Sequence, residues 1–197
     1  HNQEPIVLHC DLNPSNVYLD VHYGVKVSDL GKARFEDTIN APSVSAESSD
    51  DLLANRLYQA PEVGSRNGSS KGDRSRRSDV YSFGVLMQEL LTLSHPYGVR
   101  IATEDELITL MSGVRRGRIR LTLPDDRSTL PGRWHPCLEP LVTLLHECCS
   151  FESADRPDFI HIYHFLSKVR KEYSDAIVRE NATCKKEMID EPDSVAW

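Results

Sequence analysis

The stretch from His9 to Gly31, HCDLNPSNVYLDVHYGVKVSDLG, constrains this chain more than any other. An apolar run, Ile6-Val7-Leu8, enters a polar loop, and a second run, Val17-Tyr18-Leu19, passes through a turn around Gly24 into a third, Val25-Lys26-Val27. That order predicts a strand, a loop and then a hairpin. Asp11, Asn16 and Asp29 stand at strand edges, where a sheet can aim them into one cleft. Carboxylate and amide oxygens are the ligands magnesium prefers, and the ion commonly bridges one or two of them to a substrate's phosphates. Pro14, with its fixed φ, stiffens the segment between Asp11 and Asn16.

A length of 197 residues suits one domain with a sizeable core. The net charge of −7 argues against a nucleic-acid binder, whose phosphate contacts need a basic surface. No apolar run approaches the roughly 20 residues of a membrane span. The opening HNQEP has neither the basic end nor the apolar stretch of a signal peptide, and without a Met it reads as the start of a fragment. Five cysteines without a C-x-x-C pair fit a reduced, cytoplasmic protein. The neighbours Cys148 and Cys149 read as packing residues rather than a redox pair. His161 and His164 share a helical face but have no third ligand nearby, so they are not read as a metal site.

Residues 32 to 57 lose periodicity and are rich in Ser, Asp, Ala and Asn, the composition of a long mobile loop. Its hydroxyls, with that of Tyr58, are candidate phosphosites: Thr38, Ser43, Ser45, Ser48 and Ser49. Residues 63 to 77 form a Gly/Ser/Arg-rich surface loop. Ser78 fits a helix N-cap, with Asp79 in the first turn. The following apolar set, Val80, Phe83, Val85, Leu86, Leu90, Leu91 and Leu93, surrounds that helix almost completely, as in a buried helix. Gly84 within it implies close backbone approach. Thr103 and Glu106 form a capping box for a helix ending near Gly113, and Arg115, Arg116, Arg118 and Arg120 make a basic stripe after it. Further helices are expected over 138 to 149 and from about Asp158. From Ser174 charge rises and apolar content falls, which predicts a disordered tail. Asn67 and Asn181 begin glycosylation sequons, which a cytosolic chain would not expose to that machinery, and the terminal Val195-Ala196-Trp197 has the form of a docking peptide, although most such tails are simply frayed.

The His9 loop resembles the catalytic loop H-R-D-L-K-P-x-N of protein kinases, and Asp29-Leu30-Gly31 resembles their D-F-G magnesium motif. Tyr58-Gln59-Ala60-Pro61-Glu62 is similar to the A-P-E motif that closes the activation segment, and Ser78 to Gly84 to the start of the central helix. Arg156-Pro157 falls where the family keeps the arginine that pairs with the A-P-E glutamate. The resemblance covers about residues 1 to 172 and implies a kinase-like α+β fold, mainly α with a small β-hairpin. In that reading residues 1 to 172 are the large C-terminal lobe without its small lobe, and 173 to 197 a disordered tail.

The resemblance implies ATP and Mg2+ as cofactors and a protein as substrate. Asp11 would orient the substrate hydroxyl and accept its proton, Asn16 and Asp29 would hold magnesium, and Tyr18 would lie against the adenine, stacking on it or crowding it. Asp79 would accept hydrogen bonds from the backbone of His9 and Cys10. Glu62 and Arg156 would form a buried ion pair, His9 and Leu30 would stack in an apolar spine, and Gly31 would leave the strand at positive φ.

Four departures bear on activity. Cys10 replaces an arginine that in many kinases pairs with an activation-loop phosphate, so independence from loop phosphorylation is expected. Asn13 and Asn55 take the substrate-positioning places of a lysine and a threonine, and Ser15 stands where tyrosine kinases supply an arginine. The cation expected near the transferring phosphate is therefore missing from the loop. Tyr18 replaces an aliphatic residue. No G-x-G-x-x-G loop and no V-A-I-K strand occurs in the 197 residues, so the chain by itself is expected to be inactive. A tyrosine-kinase-like Ser/Thr kinase is the leading expectation; the alternative is a pseudokinase that binds partners as a scaffold.

Overall fold

The computed structural model describes residues 4–36, 55–63, 74–132 and 134–190, the last seven by backbone alone. The candidate phosphosites Thr38 to Ser49, the Asn67 sequon and the Val195-Ala196-Trp197 terminus lie outside the described residues. Two small antiparallel ladders come first. Strand β1 (Val7–Leu8) pairs with β4 (Arg34–Phe35), and β2 (Val17–Leu19) pairs with β3 (Val25–Val27) in the register Val17↔Val27. The strand, loop and hairpin read from the sequence are all present. The first residues of the stretch expected to be an aperiodic loop are ordered, because Leu30–Lys32 forms a 3-10 turn and Arg34–Phe35 pairs with β1.

Helix α1 (Arg76–Thr92) is the central element. Its cap is Ser75, not Ser78: Ser75 Oγ accepts from the Ser78 backbone, and Ser78 Oγ accepts from the Ser75 backbone in return. The reciprocal bonding satisfies two donors that a bare helix start leaves open. On one side of α1, Tyr81 and Val85 pack with Leu57, Ala60, Leu107 and Met111. On the other, Val80 and Met87 pack with Leu123, Leu144, Leu145 and Ile162. Leu144 and Leu145 are fully buried, and burial of each contributes about 1.5–3 kcal/mol. A Cβ added at Gly84 would lie 2.4 Å from Cys149 Sγ and 3.0 Å from Cys148 Cβ, which is the close approach the glycine implied. The same contact explains the cysteine pair as packing. The apolar wrap of α1 is incomplete, however: Leu90 and Leu93, near its C-terminal end, are exposed.

Helix α2 (Glu104–Arg115) starts at the Thr103/Glu106 capping box and runs past Gly113. Helix α3 (Pro140–Cys148) packs on α1. Helix α4 (Phe159–Asp190) corrects the disorder expected from Ser174, since the chain stays helical to Asp190. Charge alone misleads there, for the stretch carries no Gly or Pro to interrupt the helix. His135 also docks on that helix, its ring edge-on to Tyr173 and its Nε2 3.1 Å from Glu180 Oε1.

Candidate functional site

The catalytic-type loop is fixed from below by α1. Asp79, 3% exposed, accepts hydrogen bonds from His9 N at 2.8 Å through Oδ2 and from Cys10 N at 2.9 Å through Oδ1. Those bonds hold Cys10 at φ 65°, a left-handed conformation that costs a non-glycine residue about 1–2 kcal/mol. Burial raises the Asp79 carboxyl above the usual carboxylate range, and the two backbone donors oppose that shift. Burial also pushes the Cys10 thiol up to about 11, aided by the Asp79 charge. Cys10 is accordingly a neutral thiol at physiological pH.

Above this clamp the polar residues meet. Asn16, 7% exposed, donates through Nδ2 to the Asp11 carbonyl at 2.8 Å and more weakly to Asp11 Oδ2 at 3.4 Å. Asn13 is 1% exposed and turned inward, donating to the Asp11 carbonyl at 2.9 Å and capping the Pro14–Asn16 turn through Ser15 N. The hairpin register brings Asp29 alongside, because Ser28 N donates to the Asn16 carbonyl at 2.9 Å. Asp29 has φ 57°, and its Oδ1 accepts from Gly31 N at 3.1 Å.

Two expectations fail here. The left-handed residue is Asp29, not Gly31. Gly31 serves close approach instead, since a Cβ there would sit 3.0 Å from Asp29 Oδ1. Leu30 is 64% exposed and does not form a buried stack with His9, whose Nε2 lies 2.9 Å from the Ser28 carbonyl. Leu30 instead edges an open apolar groove with Val17, Val27 and Phe83. Tyr18 is exposed on the hairpin opposite Lys26. Asn55 belongs to the turn before A-P-E, its carbonyl accepting from Tyr58 N at 3.2 Å.

The Glu62–Arg156 pair forms as expected. Arg156 Nη1 and Nη2 reach the two Glu62 oxygens at 2.7 and 2.8 Å, and the arginine is 1% exposed. Tyr58 is unlike an accessible phosphosite: it is buried, and its hydroxyl donates to Glu89 Oε2 on α1. Of the arginine stripe, Arg115 is half-buried and donates to the Val63 carbonyl at 3.3 Å, whereas Arg116, Arg118 and Arg120 are exposed.

Residues 1–166 match the family described as protein kinase domain. The chain belongs to the protein kinase family. This kinase chain is 38% identical over 160 residues to human receptor-interacting serine/threonine-protein kinase 3, covering 81% of the chain and 28% of that protein. The rat counterpart is 36% identical over 162 residues, covering 81% of the chain and 30% of that protein. The bovine atrial natriuretic peptide receptor 2 is 30% identical over 177 residues, with 88% of the chain and 15% of the receptor covered. The kinase chain thus spans less than a third of the length of these relatives. Among the described residues, no helix is long and apolar enough to cross a membrane.

One charged residue beside Asp11 is not singled out by the sequence. Lys32 Nζ lies 3.0 Å from Asp11 Oδ2, with side-chain exposures of 15% and 11%. The available signal was its place directly after Asp29-Leu30-Gly31, where a capped turn fixes its backbone.

Proposed function

We propose that the chain is the large-lobe part of an ATP- and Mg2+-dependent protein kinase that phosphorylates Ser or Thr hydroxyls of protein substrates. The observation that carries this reading is Asp11, bonded to Asn16 and Lys32 in a loop clamped by a buried carboxylate. Asp11 is the proton acceptor that orients the substrate hydroxyl. Asn16 spends its Nδ2 on Asp11, so its Oδ1 is the atom left to bind metal, with Asp29 supplying the carboxylate. One carboxylate and one amide suit magnesium, which keeps most of its shell for phosphate and water. Among the described residues no cluster of three or more His, Cys, Asp or Glu offers a rival metal site. Bound magnesium supplies neutralisation of phosphate charge. Tyr18 stands exposed on the hairpin as the adenine-side candidate. The serine/threonine preference is supported by the printed names of the receptor-interacting relatives.

The deciding experiment is phosphotransfer by the full-length protein. Asp11→Ala should lower kcat at least 100-fold while Mg·ATP still binds. Equal phosphotransfer by wild type and variant would leave a partner-binding scaffold as the better account, a reading favoured by the exposed Arg116, Arg118 and Arg120. Regulation gives a second expectation. A neutral, half-buried Cys10 cannot fork onto a phosphate as arginine does, so phosphatase treatment should leave activity within about twofold. A large loss on treatment would contradict it.

A further inference from the structure

We propose that Lys32 supplies the cation that contacts the transferring phosphoryl group and orients Asp11, the task for which the buried, uncharged Asn13 carries no charge; this rests on the kinase reading above. Three observations converge on Lys32. Its ammonium is at ion-pair distance from Asp11 Oδ2, the same carboxylate oxygen that Asn16 Nδ2 approaches, so the other oxygen, Oδ1, is assigned to the substrate hydroxyl. The side chain is largely buried for a lysine, a residue that almost never hides its charge without a partner. Its backbone sits in the 3-10 turn Leu30–Lys32, which Asp29 caps through Gly31 N. That turn starts from the metal-binding carboxylate Asp29, and it carries the ammonium back to the proton acceptor Asp11.

Asn13 cannot do the same work. Its amide is committed inward, to the Asp11 carbonyl and to Ser15 N, and it is 1% exposed. A charge aimed at the phosphoryl oxygens from a fixed turn needs no reorganisation as negative charge develops, and this makes such groups effective. The cation has therefore moved from the loop that carries the proton acceptor to the turn that follows the metal ligand.

The test uses the full-length protein and three variants: Lys32→Met, Lys32→Arg and Asp11→Ala. Nucleotide binding is measured directly with Mg·ATP and Mg·ADP, alongside steady-state phosphotransfer. Because the ammonium contacts the γ-phosphoryl group, Lys32→Met should weaken Mg·ATP binding about 5- to 20-fold and leave Mg·ADP binding within about twofold. It should lower kcat about 100-fold, with Lys32→Arg recovering at least a tenth of the wild-type value. An unchanged ATP-to-ADP affinity ratio in Lys32→Met overturns the assignment, and so does a rise in kcat, which would make the ion pair a lock on Asp11. Failure of the wild type to bind either nucleotide sinks the kinase reading and this inference together. Nucleotide binding with an Asp11-dependent rate but no effect of Lys32→Met sinks this inference alone.

Discussion

Arg156→Met should destabilise the protein by about 3–5 kcal/mol and lower the thermal midpoint by roughly 10–15 °C. Every N–H of the guanidinium is used. Nη1 donates to Glu62 Oε1 at 2.7 Å and to the Arg77 carbonyl at 3.0 Å, Nη2 to Glu62 Oε2 at 2.8 Å and the Phe151 carbonyl at 3.3 Å, and Nε to the Ser150 carbonyl at 2.8 Å. The guanidinium also lies 4.9 Å from the centre of the Tyr81 ring. One side chain thus joins the A-P-E turn, the start of α1 and the segment after α3. Methionine fills the volume but strands a carboxylate and three carbonyls, and breaking a buried pair from one side costs more than the pair contributes net. Lysine should not rescue, because its three donors lack the planar fork. Glu62→Gln should cost less, since the Glu62 side chain is 28% exposed and Arg156 keeps its carbonyl acceptors. Chemical denaturation of the three variants checks the order, and Arg156→Met within 1 kcal/mol of wild type would contradict it.

The parts of this architecture that follow from local pattern were legible in the residues. The hairpin follows from the two short runs on either side of Gly24, helix α2 from its Thr103/Glu106 box, and the Asp79 and Arg156 contacts from the family resemblance. What escaped was decided by tertiary geometry. Leu30 is apolar and the resemblance puts it in a buried spine, yet burial depends on what covers it, and in this chain it borders an open groove. Composition marks Ser174 onward as too polar to fold alone, but that stretch continues a helix already anchored by Ile162 and Val169 in the core. Such continuation avoids a new nucleation cost. Lys32 reads as the start of a loop because its neighbours lack periodicity. Its role depends on a distance to Asp11, and sequence spacing does not report that distance.

Asp79→Ala should lower kcat about 100-fold and destabilise the protein by about 2–5 kcal/mol, because two buried N–H groups lose their acceptor. The catalytic consequence is the more telling one. Without the carboxylate, Cys10 loses the backbone bond that holds it at φ 65°, and relaxation there moves Asp11, the next residue. Asp79→Asn separates the two effects. Its single oxygen can accept one of the two N–H groups while its NH2 faces the other, so the loop should still shift although the charge is gone. The pH response carries the sign. Burial raises the Asp79 pKa above its unfolded value, so its contribution to stability is fully present below the unfolded pKa and is lost as pH rises through the folded pKa. Asp79→Asn should remove that slope, so the stability difference between variant and wild type should shrink as pH rises from 4 to 7, with kcat low throughout. A variant with wild-type kcat would mean that Asp11 is positioned without the clamp. A wild type whose slope matches the variant's would mean that the carboxylate is not paying its desolvation cost in the folded state.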